Sequence, residues 1–321
     1  MMRIAAAACG VEVQEYKNDQ IKESSYVGYR EIKTSREIID DIYKKQSLAP
    51  EIFADEKPFV ANEYITLTDG NTSALCVYRD NCIRLLKDTT AFGIRPQNRL
   101  QRFALDALLA PAEEIPLVIL RGPAGTAKTF LSMAAALDKT YTDEFTRHTS
   151  STSYDKIYIG RANVSSDEAF GFLPGELEDK TRPLLGCFYS NLEDLLRKGN
   201  HEEDAQIQIQ IDDMMETGLL RVFPLAYIRG MSIKNSFIIC DEAQNIGRSL
   251  IRDIVTRCGQ GSKLVILGDT NQIDVPFLDK TNSGLTYLAH NMKGSTKCAQ
   301  ITFTEKESVR SALATEALNR L

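Results

Sequence analysis

Three short stretches carry residue types that do phosphate chemistry. The first is Gly122-Pro123-Ala124-Gly125-Thr126-Ala127-Lys128-Thr129, between an apolar run, Ile115 to Leu120, and a helix-like run, Phe130 to Leu137. Strand, glycine-rich loop and helix is the setting in which such a pattern cradles phosphate, with backbone N–H groups and the helix N-terminus pointing at the β-phosphate. Lys128 is expected to reach the β- and γ-phosphates, and the Thr129 hydroxyl to meet Mg²⁺. One position departs from the usual pattern. Glycine ordinarily precedes the lysine, because the backbone approaches the phosphates closely there; this chain has Ala127. One methyl group is the smallest possible intrusion, and its expected effect is on nucleotide affinity or turnover.

The second stretch, Ser236-Phe237-Ile238-Ile239-Cys240-Asp241-Glu242-Ala243-Gln244, is an apolar run ending in two carboxylates. It reads as a parallel strand covered on both faces, and active groups in such sheets lie at the strands' carboxyl ends. Asp241 is expected to hold Mg²⁺ through its water shell, and Glu242 to polarise the attacking water. The third stretch, Lys263 to Gln272, again runs from apolar to polar, and Asp269 and Gln272 are placed to sense the γ-phosphate.

These groups need a scaffold, and the pattern predicts one. Further strands are expected at Lys156 to Gly160, Leu219 to Phe223 and Cys298 to Thr304. Helices are expected at Pro183 to Arg197, Ile207 to Thr217, Ser249 to Cys258 and Ser308 to Leu321. Strands alternating with helices imply an α/β fold, a mainly parallel sheet with helices on both faces. Ahead of it, an extended Arg95-Pro96 leads into an amphipathic helix carrying Gln101, Ala104, Leu105 and Leu108. Gln101 either reads an adenine edge with paired amide hydrogen bonds or is a surface glutamine on a helix. Glu63 to Thr68, Ser73 to Tyr78 and Cys82 to Leu86 alternate and are separated by turn residues, a small β meander expected to pack on the larger unit. Upstream, residues 3–9 read as a helix end, Val11 to Tyr16 and Tyr26 to Ile32 as strands, and Ser35 to Tyr43 as a helix capped by Ser35. The expected division is an N-terminal extension at 1–60, the meander at 61–90 and the main domain at 91–321.

Composition narrows the class. The chain has 321 residues and a net charge of −6, which argues against general coating of nucleic acid and leaves room for a local basic groove. Arg79, Arg84, Lys87, Arg95, Arg99 and Arg102 form one basic cluster, readable as such a groove or as solvated surface. No apolar run approaches the ~20 residues of a membrane helix, so no membrane partner is expected. Seven cysteines are scattered singly, as reduced thiols of a cytoplasmic protein would be, and three histidines show no metal-site spacing.

Taken together, the phosphate loop, Arg161 with Gly171-Phe172-Leu173-Pro174-Gly175, Pro224 to Gly230, Asp241 to Asn245, Gly268-Asp269 with Gln272-Ile273-Asp274, and Val309-Arg310 resemble the PhoH family of P-loop ATPases. The resemblance covers roughly residues 91–321. It implies a P-loop NTPase fold similar to the RecA-like first motor domain of superfamily-1 helicases, a likeness carried by Asp241-Glu242-Ala243-Gln244 and Gly268-Asp269-x-x-Gln272. It also implies ATP and Mg²⁺ as cofactors, ATP hydrolysis coupled to single-stranded RNA binding, unwinding or processing, and Arg310 as a catalytic group beside Lys128, Glu242 and Gln272. A single motor-like unit points to a homo-oligomer, such as a ring in which an arginine acts across the interface. Arg3 to Asp19 with Tyr26-Val27-Gly28-Tyr29 resembles the tail of a PIN nuclease domain, as in PIN–PhoH fusions, so a PIN domain upstream in a longer protein is expected. Two other functions stay open: an ATPase switch or assembly factor acting on a protein without nucleic acid, and a nucleotide-binding regulator with little turnover.

Overall fold

A computed structural model describes Ile21, residues 25–141, 153–162, 186–199, 204–228, 230–308 and Glu316. The expectations for residues 3–19, for Gly171 to Gly175 and for the helix from 308 onward fall wholly or mostly outside these residues, as does Arg310.

The larger of two sheets has six strands, all parallel. Its members are β6 (Leu117–Arg121), β7 (Lys156–Arg161), β8 (Leu220–Pro224), β9 (Ser236–Asp241), β10 (Lys263–Gly268) and β11 (Cys298–Thr302). Their spatial order is β11-β6-β10-β9-β7-β8. Strand alternation sorts their apolar residues onto two faces. Val118, Leu120, Phe237, Ile239, Val265 and Leu267 join one core, packed under helices α2 (Arg99–Leu109) and α3 (Lys128–Thr140). Leu117, Ile119, Ile238, Cys240, Leu264 and Ile266 join the other, under α6 (Arg248–Arg257) and α7 (Gly284–Asn291). Helices α4 (Gly186–Gly199) and α5 (Asp204–Glu216) add Phe188, Leu192, Ile207 and Ile211 to the first core. The result is the α/β P-loop NTPase arrangement the sequence predicts, with helix ends within a few residues of expectation.

The smaller sheet contains the predicted meander, β3 (Glu63–Thr68), β4 (Ser73–Arg79) and β5 (Cys82–Leu85), and two strands beyond it. β1 (Tyr29–Lys33) runs parallel to β3, and β2 (Ser47–Leu48) pairs with β5. Helix α1 (Arg36–Lys45) buries Ile39 and Ile42 against it. Ser35 occupies the expected cap position, but its side chain makes no capping hydrogen bond.

The two sheets are locked together. The carbonyls of Tyr26 and Val27 accept from Arg121 Nη2 (2.8 Å) and Thr302 N–H (2.9 Å), while the Gly28 carbonyl accepts from Tyr64 N–H. Only glycine fits at 28: its φ is 92°, and a Cβ there would lie 1.6 Å from the Gln300 carbonyl oxygen. Tyr64 stacks on Phe103 at 4.8 Å between ring centroids and donates to Asp106 Oδ2 at 2.9 Å. No described helix is long and apolar enough to cross a membrane.

Candidate active site

The phosphate loop leaves β6 at its carboxyl end, and its backbone is bent at defined points. Gly122 has φ 134°, and a Cβ there would stand 2.5 Å from the Phe303 carbonyl oxygen; Gly125 has φ 80°. Ala127 adopts φ 65°, ψ 21° directly before α3. That left-handed conformation is the one glycine adopts freely and alanine adopts at a cost of ~1–2 kcal/mol. The departure noted in the sequence is therefore a conformational matter as well as a steric one.

The Lys128 side chain is curled over the loop and nearly buried. Its Nζ donates to the carbonyls of Gly122 (2.7 Å) and Pro123 (2.8 Å) and to Thr126 Oγ1 (3.4 Å). Thr129 Oγ1, one residue on, donates to Asp241 Oδ2 at 3.4 Å. Asp241 ends β9, and burial together with the neighbouring Glu242 charge raises its carboxyl to about 6. A carboxylate so poorly solvated beside a threonine hydroxyl fits a divalent cation, which would add to the positive charge it already feels from Arg161 and Lys128.

Glu242 leaves the strand with φ 55°, ψ 36°, a sharp turn that carries its side chain off the sheet. Arg161 Nη2, from the end of β7, meets Glu242 Oε1 at 3.4 Å. Gln244 Nε2 donates both to Glu242 Oε2 and to the Gln272 carbonyl (2.9 Å), while Gln244 Oε1 accepts from Asp269 N–H (3.1 Å). One buried amide thus ties the carboxylate turn to the loop after β10. This works because β10 lies between β6 and β9, so the ends of all three strands meet on one rim.

These groups share a cavity of roughly 260 Å³ whose walls include Ala124 to Thr129, Asp241, Glu242, Asp269 and Gln272. Sites that enclose a whole drug-sized ligand span about 300–1,000 Å³, and this cavity is smaller. Gln101 is not among the walls. It is 3% exposed, and its Oε1 accepts from Gln97 N–H at 2.8 Å, bracing the start of α2. Ser308, two residues before Arg310, donates to the Ala124 carbonyl of the loop at 3.2 Å.

Gln244 and Arg161 had no role in the sequence reading. Both stood inside quoted motif strings, but their partners are set by strand order, which spacing alone does not reveal. The basic cluster upstream resolves mostly into ion pairs: Arg79 with Asp106, Arg84 with Asp80, Arg99 with Glu31 and Arg102 with Asp88. Among the described residues no group of histidine, cysteine and carboxylate side chains forms a metal cluster.

The sequence matches known proteins along its whole length. The profile described as "PhoH-like protein" matches residues 93–321. Protein PhoH2 of Bacillus subtilis (strain 168) is 34% identical over 330 residues, spanning 100% of this chain and 70% of the relative. Protein PhoH2 of Mycolicibacterium smegmatis is 28% identical over 324 residues, spanning 100% of this chain and 69% of the relative. A PhoH-like protein of Mycobacterium tuberculosis (strain H37Rv) is 38% identical over 183 residues, which is 57% of this chain and 46% of the relative. With the profile covering the P-loop unit and a relative matching end to end, the chain belongs to the PhoH family.

Proposed function

We propose that this chain binds Mg²⁺–ATP at the phosphate loop, hydrolyses the γ-phosphate bond and couples that cycle to single-stranded RNA. The observation that carries the hydrolytic part is the convergence of Lys128, the Thr129–Asp241 pair and Glu242 on one cavity. Mg²⁺ held by Thr129 and Asp241 would neutralise charge on the β- and γ-phosphate oxygens. Lys128 exchanges its loop carbonyls for phosphate oxygens, so its charge stabilises the transition state from a site already in place. Glu242, fixed by Arg161 and Gln244, orients the attacking water and accepts its proton. Gln272 and Asp269 stand where loss of the γ-phosphate is felt, and Gln244 passes that change between two strand ends. By the family likeness of Val309-Arg310, Arg310 is assigned a catalytic charge on the phosphates of its own or a neighbouring subunit. The RNA part rests on the likeness of the Asp-Glu-Ala-Gln and Gly-Asp-x-x-Gln strings to helicase motor domains.

The test is steady-state ATPase activity with and without single-stranded RNA, beside Lys128→Ala. The wild type is expected to turn over only with Mg²⁺ and faster with RNA, and Lys128→Ala to lose hydrolysis and bind nucleotide weakly. Turnover by Lys128→Ala near the wild-type rate would remove the phosphate-loop assignment. Turnover indifferent to RNA would favour the switch acting on a protein.

A further inference from the structure

Phe277 is 98% exposed, the most solvent-facing of the large apolar side chains described. It stands on the loop between β10 and α7, shortly after Gln272. Its backbone is left-handed, with φ 70°, a conformation that is costly for a bulky residue and persists only where the surroundings impose it. Here they do. Asn282 Nδ2 donates to the Phe277 carbonyl at 3.0 Å, and Asp279 Oδ1 accepts from the N–H groups of Thr281 (2.7 Å) and Asn282 (3.0 Å). The loop is built to hold the ring out in water.

A lone exposed aromatic is ordinary, so the second observation is the charge beside it. Arg248 Nη2 donates to the Thr281 carbonyl at 3.3 Å, which sets the first turn of α6 against the same loop. Arg248 and Arg252, one helical turn apart, line a groove with Tyr287, and the Arg248 guanidinium lies 5.3 Å over the Tyr287 ring. Arg252 and Lys280 are exposed. Helix α6 carries three arginines against one aspartate, Asp253, which also lines the groove. The loop itself carries Asp269, Asp274 and Asp279 against Lys280; Asp279 is held in its charged form by the hydrogen bonds of its turn and by Arg248, so the positive charge of this face comes from α6. Protein-binding patches are depleted of Lys, Asp and Glu but not of arginine; here the loop that presents the ring packs against the first turn of a helix with three arginines.

We infer that this face is where single-stranded RNA docks, one base stacking on Phe277 while neighbouring phosphates meet Arg248 and Arg252. The inference rests on the RNA-coupled reading above and names its surface. Stacking platforms beside basic grooves are the general means of holding single strands without reading sequence. The face is also wired to the nucleotide cavity. Gln244 holds the Gln272 carbonyl, Asn245 Oδ1 accepts from Asp274 N–H at 2.9 Å, and Lys280 donates to Asn271. A base on Phe277 and a γ-phosphate at Gln272 therefore act on one loop, the physical requirement for mutual coupling.

The test uses the full chain and a fluorescein-labelled oligouridylate of about ten nucleotides, within the span of one single-strand site. Anisotropy is read at several salt concentrations, with ATPase rate, thermal midpoint and light-scattering mass on the same samples. Phe277→Ala is expected to weaken binding roughly 5- to 150-fold, the loss of one base–aromatic stack, and to blunt RNA stimulation with RNA-free turnover unchanged. Phe277→Trp holds the affinity. Arg252→Ala lowers the slope of log affinity against log salt by about 0.7, one phosphate contact on a single strand. Wild-type affinity in Phe277→Ala overturns this docking face and leaves RNA coupling standing. A change of mass in Phe277→Ala with RNA binding intact overturns it in favour of a protein contact. A wild type that neither binds the oligonucleotide nor responds to it removes the RNA coupling as a whole.

Discussion

Two adjacent carboxylates carry different environments, and that difference assigns their work. Asp241 is buried at the end of its strand, with its Oδ2 against Thr129 and its carboxyl raised to about 6. Glu242 is turned out by a left-handed residue and fixed from two sides by Arg161 and Gln244. Glu242→Gln keeps the size of the side chain and one oxygen, and removes the charge, the proton acceptor and one of the two acceptors that Arg161 and Gln244 use. It is expected to retain Mg²⁺–ATP affinity while single-turnover hydrolysis falls roughly two to four orders of magnitude, the range for a positioned general base. Asp241→Asn is expected to impair Mg²⁺-dependent binding as well. Normal hydrolysis by Glu242→Gln, or loss of nucleotide binding equal to that of Asp241→Asn, would contradict the division of roles. The sequence placed both residues at a strand end because an apolar run stops there. It did not show that Glu242 lies in the left-handed region, since only the packing around it imposes that turn.

At the level of elements, most of what local pattern controls was legible. The apolar runs at 117–121, 236–241 and 263–268 became core strands, because residues covered on both faces leave no polar alternation. Pairing between distant segments was not legible. The strand at Ser47–Leu48 is two residues long and carries no pattern, and the parallel match of Tyr29–Lys33 with β3 is a non-local choice. Gln101, read as a nucleotide contact or a surface glutamine on a helix, is not at the surface: it is buried and braces its helix start. Lys263 gave the least warning: a polar residue opening a strand reads as a solvated edge. In the fold it is fully buried, its Nζ donating to the Ala107 carbonyl at the end of α2 (2.7 Å), and burial with the nearby Arg79 charge pulls its ammonium down to about 7. The sign follows from linkage. Below pH 7 the folded state must keep a buried charge that the unfolded state solvates, so the residue destabilises; above pH 7 the folded state sheds that proton, and the penalty fades as pH nears the ordinary lysine value of 10.5. Lys263→Met keeps the stem's volume and removes the charge. It is expected to stabilise the protein at pH 6 by on the order of 3 kcal/mol, and by progressively less toward pH 10. Thermal midpoints for both proteins across that range check it. A variant less stable than wild type at pH 6 would mean that the hydrogen bond to Ala107 outweighs the desolvation.

Across the whole molecule, the small sheet is joined to the nucleotide core by buried polar contacts as well as apolar ones. Asn62 Nδ2 donates to the carbonyls of Thr296 (3.0 Å) and Cys298 (3.1 Å), beside β11 of the large sheet. Asn62 Oδ1 accepts from Arg79 Nε at 3.0 Å, and Arg79 Nη2 reaches Asp106 Oδ2 on α2, the same oxygen that accepts the hydrogen bond of the Tyr64 hydroxyl. Burial works against the Arg79 charge, but Tyr64 and Asp106 hold its proton more tightly than usual. Removing one member of such a network leaves the others with charge or hydrogen-bonding groups they cannot satisfy. Arg79→Ala would strand Asp106 beside Tyr64 and free one side of Asn62, at a cost of about 3 kcal/mol. Because these contacts sit between the sheets, the loss should be uneven. Amide exchange should speed up in β3 and β4, while β6, β9 and β10 keep their protection, since their cores lie on both faces of the large sheet. Wild-type protein should unfold in one calorimetric transition whose van't Hoff and calorimetric enthalpies agree, and Arg79→Ala should broaden or split it. Uniform loss of protection across both sheets, with a single sharp transition retained, would show that the apolar contact of Tyr64 on Phe103 suffices to make them one folding unit.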